Sequence, residues 1–227
     1  MADAFGQMLL DRTDSEIVER DDGFVSTSTL NYFAPVRRWA AVERRALRFV
    51  RGRVLDAGVG AGRVALELQV RGREVVAIDV SPGAVQTARQ RGVRDVRLLA
   101  LENVDGSLGQ FDTLVMYGNN FGLFGSPAKA RRLLRRLRPF VTWIVAASND
   151  PYGTKDPAHL AYQARNRSRG RMSGELRLRV RYGDLVGPWF PYLIVSPDEM
   201  AEILEGTGWA IRRLVRDEGS PYVAVLE

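Results

Sequence analysis

Short apolar runs rich in β-branched residues recur at 53–56, 75–79, 95–99, 112–117 and 141–147. Each is of strand length and bounded by polar or turn residues, so together they predict five strands. Helical segments fall between them, and three carry the same start signal: Ser81-Pro82, Ser126-Pro127 and Ser196-Pro197. A serine oxygen can take a free N–H of the first turn, and proline brings the φ that turn needs. Glu199 follows Ser196 at capping-box spacing. In the middle segment Ala130, Leu133, Leu134 and Leu137 fall on one helical face, and Arg131, Arg132, Arg135 and Arg136 take the other. Strand and helix in alternation predict an α/β fold, a doubly wound, mostly parallel sheet covered on both faces. The chain ends differently, with apolar runs at 210–215 and 222–226 around Asp217-Glu218-Gly219-Ser220-Pro221, which predicts a terminal antiparallel hairpin.

Two segments lie outside this alternation in what reads as one domain over 1–227. Residues 1–45 hold Asn31-Tyr32-Phe33-Ala34-Pro35 and an arginine-bearing helix, and are expected to form a lid. Residues 150–195 contain the alternating Arg177-Leu178-Arg179-Val180-Arg181-Tyr182 and a second run from Trp189 to Val195. They predict an inserted strand pair that forms part of an acceptor pocket.

At 227 residues the chain suits one domain with a sizeable core. No apolar stretch approaches the roughly 20 residues of a membrane span, and the first residues lack the basic start and apolar region of a secretory signal. The expected location is the cytoplasm. With no cysteine, disulfides and thiolate metal sites are excluded, and clustered metal ligands are not seen, so no metal is expected. The net charge of +6 is uneven. Residues 1–30 carry two arginines against seven acids, and residues 131–181 thirteen basic groups against three acids. A basic stretch can meet phosphate, an acidic substrate or water. Arg165, Arg167, Arg169 and Arg171 within it read as a solvated loop or as an anion clamp.

The chemistry concentrates in Asp56-Ala57-Gly58-Val59-Gly60-Ala61-Gly62, which follows an apolar run and leads into a helix, and in Asp79 at the end of the next run. Glycines there permit positive φ and close approach of backbone to a ligand. An acid at Asp79's distance would grip two ribose hydroxyls in a βαβ nucleotide unit. Arg63 stands where a dinucleotide turn wants a small residue, which argues against NAD.

Val54-Leu55-Asp56-Ala57-Gly58-Val59-Gly60-Ala61-Gly62-Arg63 resembles the first motif of the class I S-adenosylmethionine-dependent methyltransferases. Val75-Val76-Ala77-Ile78-Asp79-Val80-Ser81 is similar to the second, and Phe111-Asp112-Thr113-Leu114-Val115 to the start of the fourth strand. The resemblance covers residues 45–150 in detail and implies a seven-stranded Rossmann-like sheet. It implies S-adenosylmethionine as cofactor, with S-adenosylhomocysteine as product. Implied cofactor contacts are Asp56, Gly58, Gly60, Gly62, Asp79, Val80, Leu101, Glu102, Tyr117, Gly118 and Asn119. Ala100 stands where similar proteins place an acid for the adenine amino group, leaving the Leu101 backbone and Glu102 or Asn103 to read the ring. The segment Met116-Tyr117-Gly118-Asn119-Asn120-Phe121-Gly122 would face the methyl group. It lacks the Asn/Asp-Pro-Pro-aromatic motif of enzymes acting on DNA bases or glutamine, and it more nearly resembles a segment of glycine N-methyltransferase relatives. Without cysteine, methylation of cytosine C5 through a thiolate is excluded.

Methyl transfer needs alignment, and a base where the acceptor carries a proton. His159, the single histidine, suits that role by its titration range, with Tyr117 as a second catalytic candidate. Tyr32, Asn120, Tyr152 and Tyr162 are candidates for positioning the acceptor. The expected activity is methyl transfer to nitrogen or oxygen of a small molecule, by a monomer or homodimer. The alternatives are an RNA methyltransferase using 131–181, for which no separate RNA-binding module is present, and a cofactor-binding protein without catalysis.

Overall fold

The computed structural model describes residues 2–13, 15–29 and 31–227. Its centre is a seven-stranded sheet. Five strands run parallel: β3 (Val54–Ala57), β4 (Val75–Asp79), β5 (Asp95–Leu98), β6 (Phe111–Met116) and β7 (Val141–Asn149). The hairpin of β11 (Ile211–Arg216) and β12 (Pro221–Leu226) adds through β12, which pairs antiparallel with β7. The spatial order is β11-β12-β7-β6-β3-β4-β5. It reverses direction between β3 and β6, and in open α/β sheets ligands bind at such a point, beyond the carboxyl ends of the strands.

The strands read as continuous apolar runs because both faces are covered. One face packs Leu55, Ile78, Leu114, Met116 and Ile144 beneath α5 (Pro127–Leu137) and α7 (Pro197–Leu204). The other packs Val54, Ala77, Val115 and Val145 against α2 (Ala41–Ala46), α3 (Arg63–Val70) and α4 (Pro82–Gln90). The serine caps form as expected: Ser81, Ser126 and Ser196 each accept an N–H three residues on, and Ser196 with Glu199 makes the capping box. In α5 the four apolar positions are buried and the arginines lie outside.

A second sheet covers the carboxyl ends. Residues 1–45 contain α1 (Ala4–Leu10) and also a strand hairpin, β1 (Ser15–Arg20) and β2 (Val25–Thr29), in place of a purely helical lid. β1 pairs antiparallel with β8 (Glu175–Tyr182), which also pairs with β9 (Leu185–Val186) and β10 (Phe190–Leu193), so the order is β10-β8-β1-β2 with β9 beside β8. The inserted strand pair therefore shares a sheet with the N-terminal segment. The expected loop at 165–171 is helical for its first part, since α6 (Pro157–Ser168) runs through Arg165 and Arg167. Asp156 caps it by accepting from Ala158 N–H, and Pro157 opens it. Among the described residues no helix is long and apolar enough to cross a membrane.

Candidate active site

The turn after β3 is held open by its glycines. Gly58, Gly60 and Gly62 have φ of +78°, +51° and +82°, where a Cβ is strained. A Cβ on Gly62 would also lie 2.7 Å from Val93, so this glycine serves helix packing. Gly58 and Val59 N–H donate to the Ile78 carbonyl, and Gly60 N–H donates to Asp79 Oδ2 at 3.0 Å. The other Asp79 oxygen accepts from Ser81 N–H at 3.0 Å. Each oxygen keeps acceptor capacity. The Asp79 carboxyl is buried at the wall of a cavity, and this burial raises its pKa above the ordinary carboxylate range.

That cavity, of 1310 Å³, lies between the glycine turn and the second sheet. It brings together most of the residues singled out from sequence: Asp56, Gly58, Gly60, Asp79, Val80, Leu101, Glu102, Tyr117, Gly118, Asn119, Asn120, Tyr32, His159 and Tyr162 all line it. Gly62 stands behind the wall, and Tyr152 is outside, half exposed, donating its hydroxyl to Glu199 at 2.7 Å.

Three buried polar atoms on this wall have no partner among the described residues: Asp56 Oδ2, the Tyr117 hydroxyl and Asn119 Oδ1. Burial, opposed by the Arg63 charge, pushes the Asp56 carboxyl up to about 7. Burial, reinforced by Glu43, drives the Tyr117 phenol upward as well. Unpaired groups of this kind in native proteins ask for a ligand. An ammonium, a hydroxyl pair and a polar amino-acid end would satisfy them.

Glu43 of α2 sits beside this set. It forms a two-pronged pair with Arg63 at 2.9 and 3.0 Å and accepts from Gly118 N–H at 2.7 Å. The guanidinium lies 4.6 Å from the Trp39 ring centre. Arg63, which argues against NAD in the sequence, thus ties α3 to α2 and to the end of β6. On the apolar side Val80, Leu99 and Leu101 line the cavity near Asp79, and Val80 is 68% exposed. Together these residues give that part of the lining an apolar surface.

Several sequence candidates have specific occupations. Asn120 Nδ2 donates to the Ala57 and Gly58 carbonyls, so the amide props the glycine turn from beneath. His159 Nδ1 lies 2.9 Å from Arg20 Nη1. A guanidinium only donates, so the ring accepts at Nδ1 and carries its hydrogen at Nε2. Arg20 is itself held by Asp22, and Phe24 packs 4.8 Å from the imidazole. Tyr162 donates to Asp21 at 2.7 Å, its phenol pushed up to about 12 by burial and by that carboxylate.

The roof is the face of the second sheet turned to the cavity. Alternation puts Glu16, Val18 and Arg20 of β1 and Leu176, Leu178 and Val180 of β8 inward, with Phe190 and Tyr192 of β10. Sequence reasoning missed Glu16, Glu43, Tyr192 and Asp3. Ser15-Glu16-Ile17-Val18-Glu19-Arg20 sets its two apolar residues side by side between charged ones, so it shows none of the apolar alternation that betrays a half-buried strand. Asp3 caps α1 through Gly6 N–H and accepts from Ser81 Oγ and Gly83 N–H, pinning α1 across the start of α4.

Residues 54–141 match a family profile described as a methyltransferase domain. Over this stretch the chain carries a methyltransferase domain, consistent with the class I S-adenosylmethionine-dependent family. A solved structure of a SAM-dependent methyltransferase from Bacteroides fragilis, in complex with S-adenosyl-L-homocysteine, superposes with a TM-score of 0.82. It is 26% identical and covers 99% of this chain and 94% of that one. Magnesium-protoporphyrin O-methyltransferase of Rhodobacter capsulatus is 42% identical over 67 residues, a stretch that spans 28% of this chain and only 30% of that protein. The CcbJ methyltransferase of Streptomyces caelestis, 16% identical, shares the fold at a TM-score of 0.60 over 86% of this chain and 97% of that one.

Proposed function

We propose that this methyltransferase transfers the methyl group of S-adenosylmethionine to a nitrogen or oxygen of a small acceptor held under the β1–β8–β10 roof. The observation that carries the reading is the set of unpaired buried atoms on Asp56, Tyr117 and Asn119 beside the buried Asp79 carboxylate, all on one cavity wall. Asp79 has the two oxygens a ribose diol needs, Val80, Leu99 and Leu101 offer a flat apolar slot for adenine, and Asp56 answers an ammonium. The Bacteroides relative, similar over nearly its whole length, holds S-adenosylhomocysteine, which supports the same ligand class here. When bound, the cofactor supplies an electrophilic methyl on a sulfonium, open to in-line attack.

The chain's own part is alignment and exclusion of water. Tyr32 and Tyr192 close the cavity from above, Tyr192 donating to the Asn119 carbonyl at 2.7 Å. The walls between are the apolar side chains of Val18, Leu178, Val180 and Phe190. Holding reactants in register under such a cover replaces a bimolecular encounter by a positioned one. Among the sequence candidates, Tyr32 and Tyr162 lie on the acceptor side.

The RNA alternative loses its surface. Arg131, Arg135 and Arg136 donate to the Glu202, Gly206 and Glu102 carbonyls, Arg138 lies over the Trp209 ring, and Arg179 and Arg181 pair with Glu19 on the outer face of the roof. These groups are spread over separate faces and tied to neighbours. A location in the cytoplasm accords with a metabolite acceptor. The test is calorimetric titration with S-adenosylhomocysteine, then incubation with methyl-labelled cofactor and metabolite pools. Label in a small molecule supports the reading, label in RNA favours the alternative, and tight binding without transfer favours a non-catalytic binder.

A further inference from the structure

The roof leaves one buried charge without a counter-charge. Glu16 is 7% exposed, lines the cavity, and receives the Tyr32 hydroxyl at 3.1 Å. Among the described residues it has no ion-pair partner. Of the other buried charged side chains around the cavity, Asp56 also keeps one oxygen unpaired among the described residues, and three are answered. Arg20 is matched by Asp22 in a fork at 2.8 Å, Glu43 by Arg63, and Asp79 by two backbone N–H groups. Buried ionised groups are ordinarily paired, because the cost of removing an isolated carboxylate from water is large. A cationic ligand in the cavity would supply the missing partner. Burial lifts the Glu16 carboxyl above its ordinary range, opposed by the Tyr32 hydrogen bond.

Its position is as telling as its charge. The Tyr32 ring that bonds Glu16 stands over Gly60, where an added Cβ would lie 3.6 Å from the ring edge. Tyr192 reaches from β10 to the Asn119 carbonyl at the end of β6, and Glu16 is near enough to add to the burial that raises the Tyr192 phenol. Glu16 therefore hangs between the two loops that flank the proposed methyl donor, framed by two phenols. Val18, opposite Val180, is the next inward residue along β1, and Leu178 and Phe190 lie further along the roof, level with Arg20. His159, the base suggested by sequence, has its Nδ1 lone pair occupied by Arg20 and a hydrogen on Nε2.

We propose that Glu16 is a catalytic residue that binds the ammonium of an apolar primary or secondary amine and takes its proton, making such amines the acceptor class. This rests on the methyltransferase reading above. A proton leaves the ammonium for a Glu16 oxygen, and the N–H electron pair stays on nitrogen as a lone pair. That pair forms the new N–C bond, while the pair of the broken C–S bond leaves with sulfur. Tyr32 holds the carboxylate in place by its hydrogen bond. The apolar side chains of Val18, Leu178, Val180 and Phe190 along the roof offer surface to the body of the amine.

The test uses the full chain saturated with S-adenosylhomocysteine and three matched pairs of probes: 2-phenylethylamine, tryptamine and octylamine against the corresponding alcohols. Calorimetry on the native protein should show at least one amine binding about 10- to 100-fold more tightly than its alcohol, the range for hydrogen bonds to a charged group. In Glu16→Gln that preference should vanish, with S-adenosylhomocysteine affinity unchanged and the melting temperature not lowered. With methyl-labelled cofactor, the preferred amine should be methylated by the native chain and not by Glu16→Gln. Tyr32→Phe should keep the preference for amines and weaken it. The proposal is overturned if no amine binds, if amine and alcohol bind alike, or if the preference survives Glu16→Gln. Failure of the native chain to bind S-adenosylhomocysteine sinks the cofactor reading itself. Cofactor binding without amine preference sinks only the role of Glu16.

Discussion

Asp79 and Asp56 are two carboxylates with different work at the ends of neighbouring strands. Asp79 holds the glycine turn through Gly60 N–H and the start of α4 through Ser81 N–H, and it is proposed to grip the ribose with what capacity remains. Replacing it by alanine should cost about 1–3 kcal/mol of S-adenosylhomocysteine affinity, the range for losing a partner of a buried hydrogen-bonded pair, read by calorimetry. Asp56 reports on pH. Its folded carboxyl, at about 7, lies above the ordinary 3.8, so between those values the folded chain keeps a proton that the unfolded chain has released. Its contribution to stability is fully present below the lower value, falls as pH rises through the window, and is gone above the upper one. Asp79 and Glu16 are shifted in the same direction. The comparison that isolates Asp56 is therefore native protein against Asp56→Asn, and urea denaturation should show a shallower loss of stability from pH 4 to 8 in the variant.

Among elements, α1 is exposed to a single change. It crosses the start of α4 where Gly83 meets Gly6, backbone against backbone, and a Cβ on Gly83 would lie 2.5 Å from the Gly6 Cα. Neither neighbour is a flexible side-chain tip, so α1 must move if that carbon is added. Met8 and Leu9, buried against Ala61 and Ala84, would move with it. Gly83→Ala should strip hydrogen-exchange protection from residues 4–10 while leaving the seven-stranded sheet protected, and should speed dissociation of S-adenosylhomocysteine in stopped-flow measurements. The elements of the central sheet were legible in the sequence because their cues are local. Serine-proline starts, apolar runs buried on both faces and a turn-rich break before the last strand each act within a few residues. The α6 helix carried a start signal of the same type, Asp156-Pro157, but the alternation of arginine with small polar residues in 165–171 obscured it. β1 left no such trace, since one of its pairing partners, β8, lies more than 140 residues away.

At the scale of the molecule, two bodies meet at the cavity. The central sheet is nearly contiguous in sequence, whereas the roof joins residues 15–29 to 175–193. Segments held by fewer buried apolar contacts open first, and the roof buries fewer large apolar side chains than the sheet beneath it. Hydrogen exchange should find the roof strands exchanging before β3, β6 and β7. Saturating S-adenosylhomocysteine should slow exchange most at residues 58–63 and 79–84, the two loops proposed to hold it. The uneven charge resolves at this scale too, because the arginines of 131–181 fall on α5, α6 and the outer face of the roof instead of one continuous surface.

By itself the sequence determined the α/β alternation, the glycine turn and the acid at the end of the next strand, because strand length, helix caps and positive φ are settled by neighbours along the chain. Only the tertiary structure decided which groups face the cavity from above. Glu16, Tyr192 and Asp3 acquire a role by being folded against residues far away in sequence. The burial that leaves Glu16 without a counter-charge, and the guanidinium that occupies His159, exist only once those distant strands and helices are packed together.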